Sequence, residues 1–256
     1  MRKILIVIQI ISVVVLIGAY GVFAYMHWEE EQSIQMYQEC RTLYQTGTAD
    51  NSAGNTIEDG ETEQDSASGR NSGIDFDALH AQNKDVIGWI TIPGTNIDYP
   101  IVQGKNNTHY LKYAYNGRRN WMGSIFIDYR NQSDFSDFNT VIYGHELSSR
   151  KTMFSQLNKY LSESFWEKHK EITIDTDDGE QHTYTIFSVY VSSAKSIAFN
   201  PSIEEDTFPE FLQNISSAAQ YDTGIAPNTD NKIVTLVCCY EKNFAKRVVV
   251  HAMQIS

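Results

Sequence analysis

With 256 residues, 41% of them hydrophobic and 12% aromatic, the chain is long enough for one sizeable domain with a packed core plus an appendage. Twenty Lys and Arg against thirty-two Asp and Glu give a formal charge of -12, which excludes a nucleic-acid partner, because phosphate contacts need clustered basic side chains. Three cysteines, one alone and two adjacent, exclude a disulfide framework, since neighbouring cysteines bridge only with backbone strain.

Ile4 to Met26 forms an apolar run broken only by Gln9 and Ser12, long enough to cross a hydrocarbon core of about 30 Å as a helix. Arg2 and Lys3 precede it and Glu29, Glu30 and Glu31 follow it. That asymmetry puts residues 1–3 in the cytoplasm and everything beyond the span outside it. A cleaved signal peptide competes through the small-x-small triplet Ala19-Tyr20-Gly21. The run exceeds the about 7–15 residues of a signal core, so a single-pass anchor at 4–26 is the reading.

Residues 27–73 read as a juxtamembrane helix, with Ile34, Tyr37 and Tyr44 among polar residues and Cys40 as a bystander, followed by a flexible acidic stalk. The stalk, 46–73, has six acids, one arginine and a single large apolar residue, Ile57, too little to offset the entropy of ordering it.

The folded domain is expected over 74–256. Asp75 or Asp77 caps a short helix through Phe76 and Leu79. Then "VIGWITIPGTNIDYPIVQ" reads as two strands about a Pro93-Gly94-Thr95-Asn96 turn. Period-two alternation recurs in "GSIFIDYR", "NTVIYGHE", "EITIDT", "HTYTIFSVYVSS", "KIVTLVCCY" and "RVVVHAMQIS", about eight strands in all, enough to close a barrel. Two helical insertions interrupt them: "TMFSQLNKYLSESFWEKHK", with Phe154, Leu157, Leu161 and Phe165 on helical spacing, and "FPEFLQNISSAA", with Pro209 in its first turn. The fold class is therefore mainly β: an eight-stranded barrel with helical insertions, preceded by one transmembrane helix.

The residue types for nucleophilic acyl transfer recur among these strands. A cysteine nucleophile needs a base or cation beside it and donors aimed at the developing oxyanion. Cys238 and Cys239 sit side by side on a strand and must face opposite ways, so only one can be the nucleophile. His145 follows Tyr143-Gly144 at a strand end, where a glycine lets the backbone turn. Arg247, eight residues after Cys239, opens the next strand, and a hairpin returns its guanidinium beside the cysteine. His251, alternating with apolar neighbours, reads as a hydrogen-bonded strand residue. The other histidines lack metal-ligand spacing and Asp177-Asp178-Gly179 reads as a hairpin turn, so no metal and no cofactor is expected.

Taken in order, "VIGWITIPGTNIDYPIVQGK", "GSIFIDYRN", "NTVIYGHE" and "TLVCC…RVVVHA" resemble the sortases, class B, from about Ile74 to the C-terminus. Thr235-Leu236-Val237-Cys238-Cys239 fits the family's TLxTC signature with cysteine in place of the second threonine. The resemblance implies a sortase-type barrel and a cysteine transpeptidase with Cys239 as nucleophile, His145 as acid and base, and Arg247 with the Tyr240 backbone N–H at the oxyanion. It implies contacts to the sorting peptide from Asn107 and Leu111. The implied partners are secreted proteins bearing a sorting signal and an amine of the peptidoglycan precursor, lipid II, giving cell-wall anchoring at the membrane. A pilin-polymerising transpeptidase and a non-catalytic surface-binding barrel are the alternatives.

Overall fold

The computed structural model describes residues 2–49, 73–147, 151–240 and 243–256, and the chain divides into two compact units, Met1–Cys40 and Arg41–Ser256. The acidic stretch read as a stalk falls, from 50 to 72, outside the described residues. Helix α1 (Arg2–Ala49) contains a segment, Ile6–Thr42, that is long and apolar enough to cross a membrane. Ile10, Val14, Leu16 and Ile17 are exposed along it, a surface that hydrocarbon solvates better than water does.

In the second unit α2 (Phe76–Gln82) starts on Asp75, whose Oδ1 accepts the Ala78 N–H at 2.8 Å, while Phe76 and Leu79 are buried. Among the described residues ten strands follow: β1 (Val86–Thr91), β2 (Asp98–Gln103), β3 (Ile125–Ile127), β4 (Asn139–Tyr143), β5 (Glu146–Leu147), β6 (Thr152–Met153), β7 (Glu171–Thr176), β8 (Gln181–Ser193), β9 (Ile233–Tyr240) and β10 (Asn243–Gln254). Eight close into a barrel in the order β1-β2-β3-β4-β9-β10-β8-β7, and β5 pairs with β6 as a separate ribbon. These eight are the eight period-two segments of the sequence. Pairing is antiparallel except for β2 with β3 and β4 with β9. The β4–β9 pairing joins segments that are far apart in the chain.

The first insertion departs from expectation. Its spacing predicts an α-helix, yet it forms a 3-10 helix over Ser155–Leu161 and a single α turn, α3 (Glu163–Trp166), divided at Ser162. Phe154, Leu157 and Tyr160 are fully buried, a spacing of three that suits three residues per turn, whereas Leu161 and Phe165 are only half-buried. The second insertion is helical: α4 (Phe208–Ser217) has Pro209 in its first turn and buries Phe208, Phe211, Leu212 and Ile215 against Phe187 and Ile233.

α4 covers the outer face of β8 and β9, and a buried hydrogen-bonded chain runs along that face. Thr235 Oγ1 donates to Asn139 Oδ1 at 2.6 Å and lies 2.8 Å from His251 Nδ1, while His251 Nε2 lies 3.0 Å from the Tyr190 hydroxyl. With the threonine proton committed to Asn139, Nδ1 must carry the imidazole hydrogen and Nε2 accepts from tyrosine. Burial holds the His251 pKa down at about 3. Unfolded histidine takes up its proton near 6.5, so between those values the unfolded chain binds more protons and stability is lost as the pH is lowered, by up to about 1.4 kcal/mol per unit. In detergent micelles the full-length chain should therefore lose thermal stability from pH 7 to pH 4.5 more steeply than His251→Gln does. Equal slopes would show that His251 does not stay neutral.

Candidate active site

Alternation along β9 sends Cys238 and Cys239 to opposite sides. Cys238 pairs with Val248 and lines up with Leu236 and Val250 in the barrel interior, where it is 2% exposed. Burial pushes its thiol well up, as does the neighbouring Cys239, and only Arg247 opposes the rise. Cys239 faces outward on the side that carries Thr235 and Val237. The cover on that side, in which Ala198 and Phe199 pack on Val249, ends at Val237 and Val249. Cys239 and Arg247, next along the two strands, are therefore half-exposed.

Arg247 is the ladder partner of Cys239. The next pair is Tyr240 with Asn243, so one step on β9 matches four on β10, and the extra residues bulge the strand beside the cysteine. Arg247 Nη1 donates to the Lys246 carbonyl at 2.9 Å.

His145 arrives from the other side of β9. Tyr143 pairs with Val237 in the parallel β4–β9 ladder and the Gly144 N–H donates to the Val237 carbonyl at 3.1 Å. His145 and Cys239 thus each stand two residues beyond a paired position on neighbouring strands running the same way, about 4.8 Å apart. The Gly144 backbone needs no special dihedral; its requirement is space, since a Cβ there would meet Ile125 Cδ1 at 2.6 Å and Phe154 Cδ2 at 2.7 Å. Beyond it, the His145 carbonyl accepts the Phe154 N–H at 3.0 Å and the imidazole Nε2 lies 2.8 Å from the Leu111 carbonyl. A carbonyl only accepts, so Nε2 carries hydrogen and Nδ1 is the atom left to exchange protons.

Leu111 therefore meets the His145 imidazole through its backbone carbonyl. Asn107 also arrives already engaged: Nδ2 donates to Asp128 Oδ2 at 2.7 Å and Oδ1 accepts the Tyr129 N–H at 3.0 Å. The sequence reading missed Gly123, with φ +61°, where an added Cβ would meet the Tyr110 and Leu111 carbonyl oxygens and the His145 ring within 3.0 Å. It also missed Asp128, a fully buried carboxylate. The signals were present: a glycine ahead of "SIFI" and an acid at the end of an apolar strand. Among the described residues no group of His, Cys, Asp and Glu could hold a metal ion.

A family pattern described as the Sortase domain matches residues 90–255. Sortase B of Staphylococcus aureus is 34% identical over 180 residues, 69% of this chain and 73% of that protein. Sortase B of Listeria monocytogenes is 36% identical over 182 residues, 70% of this chain and 73% of that protein. The solved Staphylococcus aureus sortase B–substrate complex superposes with a TM-score of 0.75 at 28% identity, covering 90% of this chain and 99% of that one.

Proposed function

The chain belongs to the sortase family, class B, and from that membership we propose that it is a membrane-anchored cysteine transpeptidase with Cys239 as nucleophile. Cys239 Sγ attacks the carbonyl carbon of a peptide bond inside a C-terminal sorting motif of a secreted protein. The tetrahedral adduct collapses with cleavage of the C–N bond, leaving a thioacyl-enzyme, while His145 gives a proton to the departing amine. An amine of the peptidoglycan precursor then attacks the thioester, His145 takes its proton, and a new amide forms as the thiolate leaves. With Nε2–H held by Leu111, Nδ1 carries both transfers. Arg247 and the Tyr240 N–H face the oxyanion, a role that a fixed charge opposite the nucleophile supports.

Acyl transfer of this kind is redox-neutral and calls for no cofactor. Asn107 and Leu111 border the peptide, and α1 anchors the enzyme with Arg2 and Lys3 on the cytoplasmic side. Anchoring keeps enzyme and membrane-bound acceptor at one surface and raises their effective concentration.

The observation that carries this reading is the convergence on β9: Arg247 opposite Cys239, and His145 in step with it just beyond the end of β4. The test is intact-mass analysis of the full-length chain in detergent with a randomised pool of internally quenched hexapeptides, with and without triglycine. An acyl adduct on the enzyme and a peptide–triglycine amide in solution are expected. A lysine-side-chain acceptor that outcompetes triglycine would turn the reading to pilin polymerisation. No adduct and no cleavage would leave a binding barrel.

A further inference from the structure

Asp128 lies at the end of β3, fully buried, and its carboxylate gathers donors from three places. Oδ1 accepts from Arg130 Nε at 2.8 Å and from the Arg130 N–H at 3.1 Å. Oδ2 accepts from Arg130 Nη2 at 2.8 Å, from Asn107 Nδ2 at 2.7 Å and from the Tyr143 hydroxyl at 3.1 Å. Arg130 is 44% exposed and would satisfy a surface carboxylate equally well, so the ion pair alone gives no reason to bury the acid. Burial is costly unless the remaining lone pairs are filled, and here the loop carrying Asn107 and the strand carrying Tyr143 fill them.

Two consequences follow from donor and acceptor chemistry. A carboxylate cannot donate, so the Asn107 amide has one orientation, nitrogen on Asp128 and oxygen on the Tyr129 N–H, with its second N–H free of protein partners among the described residues. The Tyr143 phenol, pushed up by burial and by the adjacent Asp128 charge, stays an O–H donor, so this arrangement holds across the working pH range. Tyr143 is itself the residue whose pairing with Val237 sets His145 in step with Cys239. The same carboxylate oxygen thus ties the loop that bears Asn107 and Leu111 to the strand that leads to His145.

We propose that Asp128 is a positioning residue for peptide recognition: it fixes the Asn107 amide so that a free N–H donor is presented to a carbonyl oxygen of the bound peptide. The inference rests on the proposed transpeptidase reading, in which Asn107 borders the peptide. An Asn at 128 would keep the shape but offer an N–H of its own, so the Asn107 amide either meets a second donor there or turns over and sets its nitrogen against the Tyr129 N–H, and in both cases loses its fixed orientation.

The probe is the hexapeptide that the full-length chain cleaves best from the randomised quenched pool. Asp128→Asn is expected to raise its KM about tenfold while kcat changes less than about twofold, the pattern of lost uniform binding. Asn107→Ala should raise KM by a similar factor, and the double variant should be no worse than either single one, because both act through one contact. Arg130→Gln is the control for a purely structural role: it should lower thermal stability and leave KM unchanged. Alkylation of Cys239 by iodoacetamide should be unaffected in all four. Should Asp128→Asn fail to fold, Asn107→Asp combined with Asp128→Asn restores one donor and one acceptor across the 2.7 Å contact. That pair should fold and still show the raised KM, since the peptide-facing N–H is gone.

Unchanged KM in Asp128→Asn, or in the reciprocal pair, overturns the proposal alone. So does a KM rise in Arg130→Gln equal to that in Asp128→Asn. A pool from which the parent cleaves nothing overturns the transpeptidase reading and this proposal with it.

Discussion

Cys239→Ala is expected to lower peptide turnover by about four to six orders of magnitude, while Cys238→Thr keeps it within about threefold of the parent. The two thiols are adjacent in sequence and chemically opposite in setting. Cys239 is half-exposed at the end of β9, with Arg247 as its ladder partner and His145 at the end of the parallel strand alongside. Cys238 faces the interior opposite Val248, and burial raises its thiol so far that little thiolate forms at neutral pH. Threonine nearly matches its volume, and its buried hydroxyl costs about 1–2 kcal/mol unless it bonds back to the strand, a loss of stability and not of chemistry. The measurement is turnover of the best-cleaved hexapeptide by each full-length variant, with intact mass to follow the acyl adduct. An adduct that persists in Cys239→Ala, or a complete loss in Cys238→Thr, would move the nucleophile to Cys238.

The strands were legible because alternation of period two is a local property, and one buried face imposes it on each strand separately. That is why segments such as "KIVTLVCCY" and "RVVVHAMQIS" could be placed before any pairing was known, and why Cys238 and Cys239 could be assigned to opposite faces. Arg247 could be placed beside the cysteine strand because a hairpin constrains its partner. His145 could be named but not located, since the parallel β4–β9 pairing joins residues whose proximity no turn signal encodes. The 3-10 helix after Phe154 was misread because spacings of three and of three to four overlap over so short a stretch. Asp128 escaped notice for another reason. The role proposed for it depends on donors contributed by Asn107 and Tyr143, which lie in other segments, and nothing in the sequence links them to Asp128.

Gly123→Ala is expected to lower kcat about 100-fold with KM changed only a few-fold, although no atom of Gly123 takes part in the chemistry. Its φ of +61° lies in the left-handed region, and a Cβ would stand 2.6 Å from the Tyr110 carbonyl oxygen, 3.0 Å from the Leu111 carbonyl oxygen and 3.0 Å from His145 Cδ2. Two of the three are backbone atoms and cannot turn aside. Relief must come from moving the 110–111 segment or the imidazole, and either lengthens the 2.8 Å contact that gives Nε2 its hydrogen and leaves Nδ1 for proton transfer. A displacement of about 1 Å at a catalytic group costs on the order of 100-fold in rate. Backbone strain alone is isolated by Gly117→Ala: φ there is +76° with nothing within 4 Å of the added carbon, so about 1 kcal/mol of stability is lost and turnover is kept. Iodoacetamide should alkylate Cys239 at the parent rate in Gly117→Ala, which leaves the imidazole in place. If Gly123→Ala retains parental kcat, the Leu111 carbonyl is not what orients His145. If Gly117→Ala loses as much as Gly123→Ala, the loss comes from strain in the loop and not from the imidazole.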